Sequence, residues 1–214
     1  MMGNEKRENK KNKVVGNLCI GLGLLFFGAA LLLTLFNVYE GENASRASDE
    51  IVTKLQKQIP EESKDSEKLP TTIPEREMPA IRIGEYRYIG MLEVPALELY
   101  LPIMEEWDDE RLKIAPCRYA GNVYGDNMVL AGHNYNKHFR RLKNLPMGSE
   151  IIFTDTEGNI YYYEIAWQEN LQPEQIEEML YQTGDDATDW DLTLFTCTTG
   201  GASRVTIRCI RIEK

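Results

Sequence analysis

The chain has 214 residues, with 24 lysines and arginines against 34 acidic residues and a formal charge of −10. That length holds one domain of ordinary size plus an appendage. The acidic surplus excludes a nucleic-acid partner, because a face that binds one must neutralise its phosphates.

The charge is unevenly spread. Residues 1–13 carry Lys6, Arg7, Lys10, Lys11 and Lys13 against Glu5 and Glu8, a balance of +3 that leaves −13 for the remainder. From Val14 to Tyr39 there is no charged residue, and this run exceeds the ~20 residues a helix needs to cross a bilayer core. It is also longer than the ~7 to 15 apolar residues typical of a cleaved signal peptide. The expectation is a retained single-pass anchor over 14–39, with the basic end in the cytoplasm and everything after Glu40 outside. Cys19 falls in this run and reads as an apolar, membrane-buried thiol. Residues 40–80 mix charges of both signs with Pro60, Pro70, Pro74 and Pro79, the texture of a stalk. Within them Ser48 is placed to cap a short helix whose one face carries Ile51, Val52, Leu55 and Ile59.

From 81 onward, and most clearly from Tyr86, short strand-like runs alternate with turn signals, the pattern of an all-β barrel or sandwich. Tyr88 to Val94 and Glu98 to Ile103 flank a Pro95-Ala96 turn. Asp108 to Ile114 and Lys137 to Leu142 read as short helices. Met128 to Gly132 is a strand running into His133. Ile151 to Thr154 and Ile160 to Trp167 bracket a loop of turn residues, Asp155 to Asn159. Pro173 opens a helix through Leu180 with acidic residues in its first turns. Two last strands follow, Leu192 to Cys197 and Arg204 to Ile210, joined across Gly200 and Gly201.

The second of these junctions concentrates the chemistry. Outside the membrane run only Cys117, Cys197 and Cys209 remain, and an odd count in an oxidising compartment leaves at least one thiol unpaired. No pairing of Cys117 with Cys209 can be read from spacing alone. Cys209, inside a strand, reads as a small core hydrophobe, whereas Cys197 ends its strand beside a turn that exposes it. A thiol acts as a nucleophile in its thiolate form, which a neighbouring cation or base favours. His133 supplies a general acid and base. His138 is its only competitor, in a basic, polar stretch that reads as solvated surface. Arg204 presents fixed N–H donors suited to an oxyanion, and Arg208, on the same strand face, is the alternative cation.

These residues carry a resemblance. Thr193-Leu194-Phe195-Thr196-Cys197 matches the Thr-Leu-any-Thr-Cys strand of the sortases, membrane-anchored cysteine transpeptidases of Gram-positive bacteria. Gly132-His133 matches the family's histidine step, and Arg204 matches the arginine that opens the strand after the cysteine. The resemblance spans about Tyr86 to the C-terminus. It implies a mainly β fold, a closed eight-stranded barrel with a few short helices behind an N-terminal transmembrane helix. It implies that His133, Cys197 and Arg204 are catalytic, with Thr196 helping to bind substrate or orient the oxyanion. The implied reaction cleaves a sorting signal of the Leu-Pro-any-Thr-Gly type through a thioester. An amine on a cell-wall precursor or a pilin then resolves it, so the implied partners are sorting-signal-bearing surface proteins or pilins.

The chain departs from the housekeeping type in its short loop between Cys197 and Arg204. The connection from Trp167 to Asp191 is similar to the helical insertion of class B enzymes, and a class D-like assignment is the other subclass considered. No cofactor is expected. Asp185, Asp186, Asp189 and Asp191 offer hard oxygen ligands for calcium, but a solvated acidic loop is the preferred reading. Extracellular L,D-transpeptidases fit poorly, since their cysteine follows a His-Gly step where Phe195-Thr196 stands here. A non-catalytic surface module on the same fold is the remaining alternative.

Overall fold

The computed structural model describes residues 2–60, 76–180, 190–198 and 200–214. The chain divides into two compact units, 1–42 and 43–214. Helix α1 covers Met2–Gln56 without interruption. Its N-terminal part is long and apolar enough to cross a membrane, and Leu24, Leu25, Phe26 and Phe27 are exposed along it.

The helix corrects one expectation. Ser48 does not cap a new helix, because no proline or backbone break interrupts the intrahelical hydrogen bonds leading up to it. Ser48 lies inside α1 and is buried, on a stripe with Ala44, Ser45, Val52 and Leu55. That stripe repeats at the helical period. Leu55 and Ile59 pack with Tyr88, Met104, Ala115 and Cys117 in a small apolar cluster. Burying a leucine side chain is worth about 1.5–3 kcal/mol, so within the second unit Leu55 alone does much to hold the last turns of α1 against the strands. Residues 61–75 of the expected stalk lie outside the described residues.

Among the described residues the second unit has nine strands: β1 (Ile81–Ile83), β2 (Tyr86–Val94), β3 (Leu99–Met104), β4 (Cys117–Ala120), β5 (Met128–Ala131), β6 (Glu150–Asp155), β7 (Ile160–Leu171), β8 (Leu192–Cys197) and β9 (Arg204–Ile212). Eight of them form a ring in the order β2-β3-β4-β5-β8-β9-β7-β6. The ring closes where β6 pairs back onto β2, from Gly90 opposite Asp155 to Glu93 opposite Ile152. At that seam a Cβ on Gly90 would stand 2.2 Å from the Thr154 carbonyl oxygen, so only glycine permits closure. The expected closed eight-stranded barrel is therefore present, and β1 is an extra short strand on the edge of β2. The β3–β4 and β5–β8 pairs are parallel and the others antiparallel.

Two short helices punctuate the barrel, α2 (Asp109–Leu112) and α3 (Ile176–Leu180). Asp108 caps α2 by accepting the Arg111 N–H at 2.7 Å. The helix expected over Lys137 to Leu142 is a 3-10 helix at Phe139–Asn144. The one expected from Pro173 starts only at Ile176. Strands β1 and β4, three and four residues long, escaped notice because runs that short carry almost no periodicity.

Strand alternation sorts the side chains. Leu130, Leu192, Leu194, Ile207 and Cys209 point into the main core with Phe139, Phe153 and Tyr163. Val129, Ala131 and Phe195, one residue out of phase, form a separate outer cluster with Leu171 and Met179. This second cluster lies on the Cys197 face of β8.

Candidate active site

Three strand ends converge. β5 and β8 run parallel with Ala131 opposite Phe195, and the Gly132 N–H donates to the Phe195 carbonyl at 3.0 Å, carrying the ladder one residue further. His133 and Cys197 each lie two residues beyond that matched pair, so they leave the sheet at one end and at one level. On the other side β9 is antiparallel, and its first residue, Arg204, is the register partner of Cys197. Parallel pairing on one flank and antiparallel pairing on the other bring together residues from 133, 197 and 204. Cys197 is half-buried, and all four cysteines are free, so Cys117 and Cys209 are unbridged. Burial pushes the Cys117 thiol up to about 12 and raises that of Cys209 as well. Both are inert by access and by protonation.

The turn from Cys197 to Arg204 is pinned by its own residues. The Thr198 N–H donates to the Ser203 carbonyl at 2.9 Å, and the Ser203 N–H donates back to the Thr198 hydroxyl at 3.0 Å. Gly200 and Gly201 take the left-handed conformations (φ 84° and 74°) that let so short a turn reverse the chain. One guanidinium nitrogen of Arg204 donates to the Gly201 carbonyl at 3.2 Å, and the side chain remains partly exposed.

His133 stacks on Tyr135, with ring centroids 4.8 Å apart and planes at 29°, and Tyr135 in turn meets the His138 ring at 5.4 Å. His138 is fully buried, which overturns its reading as solvated surface. The basic residues around it point outward, while the chain turn at Tyr135, closed by the His138 N–H to Tyr135 carbonyl bond, tucks its ring inside. Neither ring nitrogen of His138 has a hydrogen-bond partner among the described residues. Burial first, and the neighbouring His133 second, push its pKa down to about 4. A neutral, enclosed imidazole cannot reach a substrate, so His133 is the accessible histidine of the pair. Gly132 before it is sterically required, since a Cβ there would lie 2.6 Å from the ring of buried Phe139.

Arg208 is already committed elsewhere. It is 1% exposed, with Nε donating to Glu169 Oε1 at 2.9 Å and Nη1 to Thr193 Oγ1 at 2.8 Å. Its remaining bonds go to the Glu178 and Met179 carbonyls. Arg204 is thus the cation at the Cys197 end of the sheet. Thr196 alternates to the inner face, where its hydroxyl is buried without a hydrogen-bond partner among the described residues.

Sequence reasoning missed an aromatic series beside the site. Trp107 lies 4.8 Å from Tyr119, and Tyr119 meets Phe195 edge-on at 5.3 Å. It joins residues far apart in sequence, so no local pattern announces it. Among the described residues no group of three or more His, Cys, Asp or Glu could hold a metal. Asp185, Asp186 and Asp189 lie outside the described residues, and the Asp191 carboxylate accepts the Arg211 backbone N–H.

A model of the Sortase domain matches residues 92–211, more than half of the chain. The chain belongs to the sortase family, whose members are transpeptidases. No curated protein matches it in sequence. Among solved structures, the lid mutant of sortase A from Corynebacterium diphtheriae is similar with a TM-score of 0.53 and 22% identity, over 78% of this chain and 94% of that one. Sortase C from Streptococcus pneumoniae gives 0.53 and 20%, over 82% and 90%. Sortase C-1 from Actinomyces oris gives 0.50 and 22%, over 58% and 73%. At these identities the likeness is one of fold.

Proposed function

We propose that this sortase is a cysteine transpeptidase in which Cys197, its thiol proton passed to His133, attacks the threonine carbonyl of a Leu-Pro-any-Thr-Gly-like sorting signal. The carbonyl carbon gains the sulfur, and its oxygen becomes an oxyanion that the Arg204 guanidinium stabilises. His133 gives a proton to the departing glycine amine, leaving a thioester on Cys197, then takes one from the incoming amine that resolves it. The single observation that carries this reading is the convergence of His133, Cys197 and Arg204 at one end of three adjacent strands. Thr196 contributes to substrate binding through its main chain, since its hydroxyl is turned inward.

The substrates are surface proteins or pilins bearing the signal, and the acceptor amine belongs to a cell-wall precursor or a pilin. Residues 14–39 anchor the protein in the cell membrane, 1–13 form a cytoplasmic basic tail, 40–80 link the anchor to the barrel with Leu55 and Ile59 packed against it, and 81–214 form an extracellular catalytic domain. The excess of Lys and Arg before Val14 supports that orientation.

The test is to incubate the full chain in detergent with a library of quenched pentapeptides and an amine acceptor. Cleavage and transfer are expected for one peptide class, and both should vanish in Cys197→Ala. Turnover that survives that substitution would sink the assignment.

A further inference from the structure

One buried, multiply bonded side chain on the outer face of the barrel takes no part in the reaction above. Arg208 lies on β9 four residues beyond Arg204 and opposite Thr193 of β8. Its guanidinium makes four hydrogen bonds in three directions: to Glu169 of β7 (2.9 Å), to Thr193 of β8 (2.8 Å), and to the Glu178 and Met179 carbonyls of α3 (2.6 and 2.9 Å). One face of the group stacks over the Trp190 ring, 4.0 Å from its centroid. Two adjacent backbone carbonyls of α3 taken by one planar fork fix the helix in position and in rotation, which an ammonium on a flexible stem cannot reproduce.

What this fixes is the neighbour of the candidate nucleophile. Met179 of α3 is buried against Val129, Ala131, Leu171 and Phe195, and Phe195 shares its strand face with Cys197 two residues on. α3 therefore stands as a wall over the apolar strand surface that leads to the thiol.

We propose that Arg208 is a positioning residue that clamps α3 as the wall of the peptide-binding surface, so that it governs capture of the sorting peptide while Arg204 governs the chemistry. The inference rests on the proposed transpeptidase reading for its kinetic consequence but not for the clamp itself. Loss of the clamp frees α3 to move off β5 and β8, weakening peptide contacts without displacing Cys197 or His133, whose positions depend on the β5–β8 ladder.

The experiment compares the full chain in detergent with Arg208→Lys and with the milder Glu169→Gln, which removes the charge of one partner and leaves the buried arginine in place. Hydrogen exchange is followed over 176–180 and over β8 and β9. Steady-state kinetics use the pentapeptide that the wild type cleaves best. In Arg208→Lys, exchange over 176–180 should quicken at least tenfold while β8 and β9 stay protected. KM should rise at least tenfold with kcat reduced less than threefold. Glu169→Gln should shift the same quantities in the same direction by less. Unchanged exchange over 176–180 in both variants, or a loss confined to kcat, would overturn the clamp. Should Arg208→Lys unfold the barrel, Glu169→Gln decides alone. Should the wild type cleave no peptide, the transpeptidase reading fails while the exchange comparison still judges the clamp.

Discussion

The Gly132→Ala substitution isolates the steric support under His133. Gly132 does not occupy the left-handed region, so an alanine meets no backbone penalty there and the whole effect comes from the side chain. The new methyl would lie 2.6 Å from two atoms of the Phe139 ring, roughly 1 Å inside ordinary carbon contact. Phe139 is fully buried in the main core and cannot swing into solvent, so either the ring or the strand end must shift. Overpacking of this kind costs about 1–3 kcal/mol, and each kcal/mol lowers the melting temperature of a domain this size by about 2–4 °C. His133 is the next residue, and a displacement of about 1 Å at a catalytic group costs up to about 100-fold in rate. The expected outcome is a modest fall in melting temperature with a disproportionate fall in kcat, read by thermal denaturation and by the pentapeptide assay. Adding Phe139→Leu should make room for the methyl and restore part of the activity, and the double-mutant cycle measures that coupling. A Gly132→Ala protein with wild-type kcat, or a cycle with no coupling, would refute the argument that Phe139 dictates glycine before His133.

Three further outcomes follow from the same geometry. Arg204→Lys should lower kcat by about 100-fold with the melting temperature unchanged, because a point charge replaces the planar donors proposed to stabilise the oxyanion; near-wild-type turnover would remove Arg204 from the chemistry. In a Cys19→Ser background, iodoacetamide at neutral pH should add one adduct, on Cys197, since Cys117 and Cys209 are buried and held as thiols. Peptide mass mapping of the native protein checks this, and labelling of either buried cysteine would contradict their placement. The pKa of His138 is depressed to about 4 from an ordinary 6.5, so the unfolded chain binds a proton there that the folded chain does not. Its neutral burial is compatible with full stability above about pH 6.5, and stability falls as pH drops from there towards 4, by about 3 kcal/mol in all. His138→Leu should flatten the denaturation profile in that window, and an unchanged slope would show that His138 is not the group responsible.

Much of this protein is legible in one dimension because the physics is local. An uncharged run of bilayer length, alternating strands and the turn between Cys197 and Arg204 each declare themselves within one continuous stretch of chain. Cys197 and Arg204 are neighbours because one short hairpin makes them so, and sequence spacing is enough to see it. His133 is a harder case: sixty-odd residues separate it from Cys197, and chain order and family resemblance supplied what periodicity could not. The short strands β1 and β4, the run of α1 through Gln56 and the start of α3 at Ile176 stayed hidden, because packing and pairing partners rather than propensity decide such bounds.

Tertiary structure alone decided the environments. His138 sits among basic residues in sequence yet has no exposed surface, since burial depends on which way a turn folds back. Arg204 and Arg208 share a strand face and a residue type, and only the packing of α3, Glu169 and Trp190 around Arg208 distinguishes a partly exposed cation from an enclosed structural one. Residue types and short-range order were enough to show which residues are chemically able to act and which helix is long and apolar enough to cross a membrane, because composition dictates both. The closed barrel decided which of those residues meet, because parallel pairing of β5 with β8 brings distant segments into one register.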